Sequence, residues 1–153
     1  MKKEVSAKRV NIVNVKLVKE KSIKYQPRKI TTPKDVVNLV GNLLIDCDRE
    51  KLILITLNVK NEPTFIEVVS VGNLQSAIIH PREIFKTAIL GNAANIIICH
   101  NHPSGDLEPS KEDIKITQRL KECGKLMGIE LTDHIIIGSE GRFCSLQEKG
   151  LFK

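Results

Sequence analysis

The sequence predicts one α/β (α+β) domain in which a mixed β-sheet is flanked by about three helices. Its length of 153 residues and its 41% apolar content suit a single compact domain with its own core. Two strand-like apolar runs, residues 51–59 and 64–71, are separated by the turn-rich segment 60–63 and indicate an antiparallel hairpin. Prolines at positions where helices begin, together with apolar residues at helical spacing, predict the helices that cover the sheet.

The N-terminal part of the chain is predicted to form a strand, a connector and a helix. Residues 8–19 alternate apolar and polar side chains, which predicts an edge strand. Residues 20–31 are polar and are expected to form a connector. Thr32 followed by Pro33 predicts a helix start, and the apolar spacing continues to about Asp48.

The remaining part of the chain supplies two more helices and three more strands. A segment rich in proline and glycine precedes the last helix and gives the chain room to turn. The predicted elements are, in order, a helix from Pro81 to about Gly91, a strand at residues 95–100, a helix from Ser110 to about Met127, and strands at residues 130–137 and 142–146.

The cysteine spacing and the apolar runs exclude several classes of protein. The four cysteines form no C-x-x-C pair, so they do not indicate a zinc ribbon or a thioredoxin-like site. The lysine-rich start is not followed by the apolar run of a signal peptide, and no segment is apolar enough to cross a membrane. We therefore expect a cytoplasmic protein with reduced thiols and no membrane partner.

Positive charge is concentrated at the N-terminus. Residues 1–30 carry ten lysines and arginines against two glutamates, whereas the whole chain has a formal net charge of +6. We divide the chain into a basic N-terminal strand and connector, residues 1–31, and a globular domain, residues 32–153. The basic arm is either a binding segment for nucleic-acid phosphates or simply a solvated terminus. An aromatic content of 3% is not typical of a single-strand nucleic-acid binder.

Three side chains have the type and spacing of a catalytic metal site. His100 and His102 come at the end of an apolar strand, where residues i and i+2 point to the same face. Asp113 follows after a turning loop, in the first turn of a predicted helix. Two imidazoles and one carboxylate suit Zn²⁺ and leave the fourth tetrahedral position for water. The sequence therefore predicts one catalytic Zn²⁺ per chain.

A purely structural interpretation of the same residues also exists. His-x-His at a strand end can occur by chance, and Ser110 to Asp113 has the pattern of a helix capping box. Ser110 can serve as a cap and as a functional residue at the same time.

The whole motif resembles that of the JAMM (MPN-type) zinc metallopeptidases, and its sequence is similar to that of the RadC branch. The matching residues are His100, His102, Pro103, Ser110 and Asp113. The resemblance extends over residues 32–148 and implies a JAMM/MPN fold with an architecture like that of cytidine deaminases. It also implies a zinc hydrolase that cleaves peptide or isopeptide bonds in a protein or peptide substrate.

The resemblance assigns roles to further residues. Glu50, just before the strand at 51–59, matches the glutamate that acts as general base, and Glu67 and Glu83 are the less suitable substitutes. Ser110 matches the serine that helps to hold the oxyanion. His134 is either a residue beside the metal ligands or the substrate, not among the ligands, or a hydrogen-bonded histidine of the strand.

The sequence leaves other functions open. Longer RadC-like proteins carry an N-terminal helix–hairpin–helix module, which residues 1–31, without a glycine, do not resemble. A role in DNA repair therefore depends on the basic arm alone. The consecutive letters H-N-H at 100–102 do not match HNH nucleases, whose residues come from separate positions of a ββα fold. The main alternative is a non-catalytic protein- or DNA-interaction module with the same fold, and the oligomeric state is open.

Overall fold

A computed structural model of the protein describes residues 5–45, 47–72 and 79–153. Three helices and five strands follow one another in the order that the sequence predicts for residues 32–153. The elements are α1 (Pro33–Leu44), β1 (Lys51–Leu57), β2 (Pro63–Val71), α2 (Pro81–Leu90), β3 (Asn95–Asn101), α3 (Lys111–Met127), β4 (Glu130–Ile137), a 3₁₀ turn (Ser139–Gly141) and β5 (Phe143–Ser145).

The five strands form one mixed sheet in the order β2-β1-β3-β4-β5. The predicted hairpin is confirmed, because β1 pairs antiparallel with β2. On its other side β1 pairs antiparallel with β3, and β3 pairs parallel with β4 through the connection that contains α3. Strand β3 is thus central, and its C-terminal end is where the predicted metal-binding motif leaves the sheet.

The helices cover both faces of this sheet, as the mixed α/β class requires. Helix α1 packs on one face, against the side chains of alternate residues such as Ile53, Ile97 and Cys99. Helices α2 and α3 pack on the other face, against residues such as Leu54 and Ile98. Alternation along β3 therefore directs His100 to the face covered by α3 and buries Cys99 on the opposite one.

The edge strand predicted at residues 8–19 is wrong. Residues 5–24 are exposed and form neither helix nor strand, and residues 1–4 of the basic arm lie outside the described residues. The apolar side chains of this arm, such as Val10 and Ile12, stay in solvent. An alternating pattern produces a strand only where a neighbouring strand and a core face are available, and the described chain offers this segment neither.

Two element ends also differ from the prediction. Helix α1 begins at Pro33 as expected but ends at Leu44, because Ile45 already has extended backbone angles. The predicted end near Asp48 runs past residue 46, which lies outside the described residues. Strand β1 ends at Leu57 because the Asn58 side chain accepts hydrogen bonds from the main-chain N–H groups of Lys60 and Glu62 and turns the chain.

Among the residues described, no helix combines the length and the apolar character needed to cross a bilayer.

Candidate metal centre

The end of β3 brings the two predicted histidine ligands together. His100 is completely buried, and His102 follows the strand at the mouth of a cleft and is partly exposed. Their Nε2 atoms lie 2.9 Å apart. The two rings therefore point at one position, as predicted from the i, i+2 spacing.

The first turn of α3 adds the carboxylate. Ser110 is the N-cap, and its side chain accepts from the Asp113 N–H while the Asp113 carboxylate accepts from the Ser110 N–H, which is the predicted capping box. The same carboxylate lies 3.4 Å from the His100 Nε2 and 3.3 Å from the His102 Nε2. Ligand atoms of all three side chains are within 4.8 Å of one another, so this group could hold a metal ion.

A main-chain carbonyl determines the tautomer of His102. Its Nδ1 lies 2.7 Å from the Asp106 carbonyl oxygen. A carbonyl can only accept, so Nδ1 carries the hydrogen and, in the neutral ring, Nε2 carries a lone pair. The loop after β3 thus turns the ligand nitrogen of His102 towards Asp113.

A chain of three hydrogen bonds determines the tautomer of His100 in the same way. The Thr117 hydroxyl donates to the Asp113 carbonyl at 2.5 Å, so it must accept from the His134 Nδ1, also at 2.5 Å. The His134 Nε2 is then an acceptor and receives the Nδ1–H of His100 at 2.7 Å. This leaves the lone pair of His100 on Nε2, facing His102 and Asp113.

The donor set fits a bound cation. The two Nε2 atoms lie 2.9 Å apart with their lone pairs facing each other, and a carboxylate lies beside them. These groups repel one another unless a proton or a metal ion lies between them. Two nitrogens and one oxygen, each oriented by a further hydrogen bond, match the ligand set of a catalytic zinc site. The partly exposed side of His102 leaves an approach from the cleft.

Three pKa shifts describe the electrostatics of this cluster. Burial opposes ionisation of Asp113, but the hydrogen bonds that it accepts from His100 and His102 when their rings are protonated, and from the Ser110 amide, outweigh burial and hold the Asp113 pKa far below its usual range. The hydrogen bond to Asp113 raises the pKa of His102, against the effect of burial. Burial lowers the pKa of His134 well below its ordinary value, with the charge of His100 acting in the same direction. His134 is therefore neutral, as the hydrogen-bond chain requires.

An open cleft of about 890 Å³ lies over these ligands and brings in the two other predicted residues. Glu50 lines the cleft together with His102 and Asp113, and its charge helps to raise the His102 pKa. Ser110 lines the cleft as well. Its oxygen accepts from the Asp113 N–H at 3.1 Å, which leaves the hydroxyl hydrogen available to another acceptor.

The two substitutes considered for the general base lie elsewhere. The Glu67 carboxylate accepts a hydrogen bond from Thr87, and Glu83 forms an exposed ion pair with Lys86 in α2. Neither lines the cleft. Of the three glutamates that the sequence offered, the fold brings Glu50 to the ligands.

Two residues that contact this site were not predicted from the sequence. Thr117 lies four positions after Asp113 on a helix, a spacing that places both on one face and could have identified it. Asn101 stands between the two histidines, but alternation turns its side chain away from them, and its contact with the residues beside Glu50 has no local signal.

Comparison with known proteins shows what most of this chain is similar to. The family model described as the RadC-like JAB domain matches residues 30–151. A UPF0758 protein of Clostridium botulinum is 61% identical over 122 residues, which are 80% of this chain and 53% of the relative. A UPF0758 protein of Clostridium acetobutylicum is 54% identical over 127 residues, which are 83% of this chain and 55% of the relative. The chain spans about half the length of these curated relatives.

Proposed function

Because this chain belongs to the RadC-like JAB domain family, we propose that it is a zinc-dependent hydrolase that cleaves peptide or isopeptide bonds in a protein or peptide substrate. The observation that carries the proposal is the convergence of two oriented Nε2 lone pairs and the Asp113 carboxylate beneath an open cleft. A structural zinc site would have four protein ligands and no such opening.

His100, His102 and Asp113 would hold the metal ion. Bound there, Zn²⁺ supplies Lewis acidity, which lowers the pKa of an attacking water towards about 7 and polarises the carbonyl under attack. Burial of His100 and the hydrogen bonds on both histidines keep the ligands in one geometry, so little reorganisation is needed when the reaction begins.

Glu50 and Ser110 are the proposed reacting partners in the cleft. The Glu50 carboxylate takes the proton of the attacking water and passes it to the nitrogen of the leaving amine. The bond can then break without release of an amide anion. The Ser110 hydroxyl donates to the oxygen that becomes negative during the attack. Its position at the N-terminus of α3 adds the positive end of the helix dipole to that donor.

One observation favours a second function, an interaction module. Residues 5–24 are exposed, basic and rich in apolar side chains, which suits a segment that binds nucleic acid or another protein. A link to DNA repair would depend on such binding. The arm and the cleft can act in the same protein, which we propose to be cytoplasmic because its four cysteines are free thiols.

The first test is metal content, measured by elemental analysis on wild type and on His102→Ala purified without added metal. We expect about one zinc per chain in the wild type and a loss in the variant. The zinc-loaded protein is then incubated with peptide pools and lysine-linked isopeptides, and the products are identified by mass spectrometry. Glu50→Gln should keep its zinc and lose about 10²- to 10⁴-fold in turnover. A wild type that takes up no zinc even from excess metal rules out the hydrolase and favours the interaction module.

A further inference from the structure

We propose that Asn101 is a positioning residue that holds Glu50 at the metal centre. The inference rests on the proposed function, because it concerns the placement of the general base. Asn101 is the last residue of β3 and stands between the two histidines, yet its side chain points to the opposite face of the strand and ligates nothing. The residue is 3% exposed, so both the oxygen and the nitrogen of its amide group must find partners within the protein.

The partners of Asn101 are the main-chain groups on either side of Glu50. Its Oδ1 accepts from the Lys51 N–H at 2.8 Å, and its Nδ2 donates to the Arg49 carbonyl at 3.0 Å. The amide of one side chain thus bridges the residue before the glutamate and the residue after it. These two bonds are made across 50 and 52 positions of the chain.

This bridge replaces main-chain pairing that has ended. The ladder between β1 and β3 stops at the pair of Leu52 and His100, so residues 49–51 are attached to β3 by the Asn101 side chain. On the other side, the Glu50 carbonyl accepts from the Gly72 N–H at 2.8 Å. The main chain around Glu50 is therefore held on two sides, by Asn101 on the side of β3 and by the Gly72 N–H on the other.

The consequence for the proposed reaction follows from the geometry of proton transfer. A general base must lie within hydrogen-bond reach of the proton it takes, and a displacement of about 1 Å can cost about 10²-fold in rate. The strand that carries both histidines also fixes the glutamate through Asn101, so ligands and base keep one spacing. Removing the amide should therefore reduce turnover without reducing zinc binding.

A double-mutant cycle tests whether Asn101 acts through Glu50. Asn101→Ala, Glu50→Gln and the double variant are compared with wild type, all zinc-loaded, on a peptide that the wild type cleaves. We expect Asn101→Ala to keep about one zinc per chain and to lose about 10- to 10²-fold in kcat with little change in KM. In the Glu50→Gln background the same substitution should cost almost nothing further. Additive losses would overturn the inference.

A matched control separates positioning from general stability. Asn58→Ala removes two side-chain bonds to main-chain N–H groups at the far end of β1, together with one to the Glu62 carboxylate. It should lower the free energy of unfolding, and its effect on kcat should be small and the same with Glu50 or Gln at position 50. Asn101→Asp keeps the acceptor for the Lys51 N–H and loses the donor. Its kcat should lie between those of wild type and Asn101→Ala.

Amide hydrogen exchange gives a readout that needs no substrate. In zinc-loaded Asn101→Ala the Lys51 amide should exchange faster than in wild type, while amides in the centre of β1 keep their protection. Unchanged protection at Lys51 would overturn the inference. If the wild type binds zinc and Asn101→Ala shows this exchange pattern, but the wild type cleaves no peptide or isopeptide, the proposed function is contradicted instead.

Discussion

His100 receives its orientation from two side chains that a metal ion would not touch. Thr117 and His134 form a buried chain that starts at the Asp113 carbonyl and ends at the His100 Nδ1. Because the Thr117 hydroxyl has only one hydrogen, each bond in the chain determines the direction of the next. The predicted ligand His100 lies in β3, and the two residues that orient it, His134 and Thr117, lie in β4 and α3.

Replacing Thr117 with valine, which has nearly the same shape, should weaken zinc binding. The change leaves the buried His134 Nδ1–H without its acceptor, so the ring can turn or change tautomer and no longer fixes His100. We expect zinc affinity to fall about 10- to 100-fold and the free energy of unfolding to fall by about 1–3 kcal/mol. Calorimetric titration with zinc and urea unfolding measure the two effects. Thr117→Ser keeps the hydroxyl and should stay close to wild type.

Zinc binding should weaken as the pH falls, because protons compete for His102. The hydrogen bond to Asp113 raises the His102 pKa above its ordinary value of 6.5, and a protonated ring cannot be a ligand. The proton-bound form is favoured below this raised pKa, so the loss of affinity begins above pH 6.5. As the pH falls below this raised pKa, we expect a decrease approaching tenfold per pH unit. Calorimetry in buffers of different ionisation enthalpy should show proton release, and an affinity independent of pH would contradict this.

At the scale of elements, two helices begin with the same capping box but have different tasks. Thr32 caps α1 with Asp35 as its partner, and Ser110 caps α3 with Asp113 as its partner. Both boxes satisfy the free N–H groups at a helix start. In α3 the carboxylate of the box is also the predicted metal ligand, so the same local geometry that begins the helix positions Asp113.

This pair of caps gives a matched comparison. Ser110→Ala and Thr32→Ala should each lower the free energy of unfolding by about 1 kcal/mol, because each removes one side-chain acceptor for a helix N–H. The proposed hydrolysis should decrease in Ser110→Ala and stay near wild type in Thr32→Ala, since α1 covers the opposite face of the sheet. Denaturant unfolding and turnover are measured on the same samples. Equal turnover in the two variants would exclude a role for the Ser110 hydroxyl in the reaction.

At the scale of the whole molecule, the N-terminal arm lies outside the apolar core that stabilises the domain. Residues 5–24 are exposed, whereas Ile30 is buried in the cluster beneath α1 and donates its N–H to the Asn61 carbonyl. The hydrophobic contribution to folding comes from apolar area removed from water, which the arm does not provide. The domain core therefore begins near Ile30.

A variant shortened to begin at Tyr25 should unfold like the full chain. We expect a change of less than about 0.5 kcal/mol in the free energy of unfolding and the same zinc content. Ile30→Ala in the full chain is the comparison and should cost at least about 2 kcal/mol, because it leaves a cavity beneath α1. Thermal and urea unfolding measure both. A large loss on shortening would mean that the arm packs on the protein or on a second copy in solution.

Predictions from the sequence succeeded where the physical cause is local. The alternation of a strand accounts for the convergence of His100 and His102, and the capping pattern accounts for Asp113 and for the start of α3. Prolines at the first helical position gave the correct starts of α1 and α2. The same local reasoning failed at residues 8–19, because strand formation requires a partner that no local pattern provides.

The sequence by itself determined the order of the elements in residues 32–153 and the proposed ligand set, because turn, cap and alternation signals act within a few residues. The tertiary structure alone decided which side chains complete the site. His100 meets His134 34 positions away, His134 meets Thr117 17 positions away, and Asn101 meets the main chain beside Glu50 about 50 positions away. Such contacts depend on the order of strands in the sheet and on the face that α3 covers, and these are properties of the packed chain.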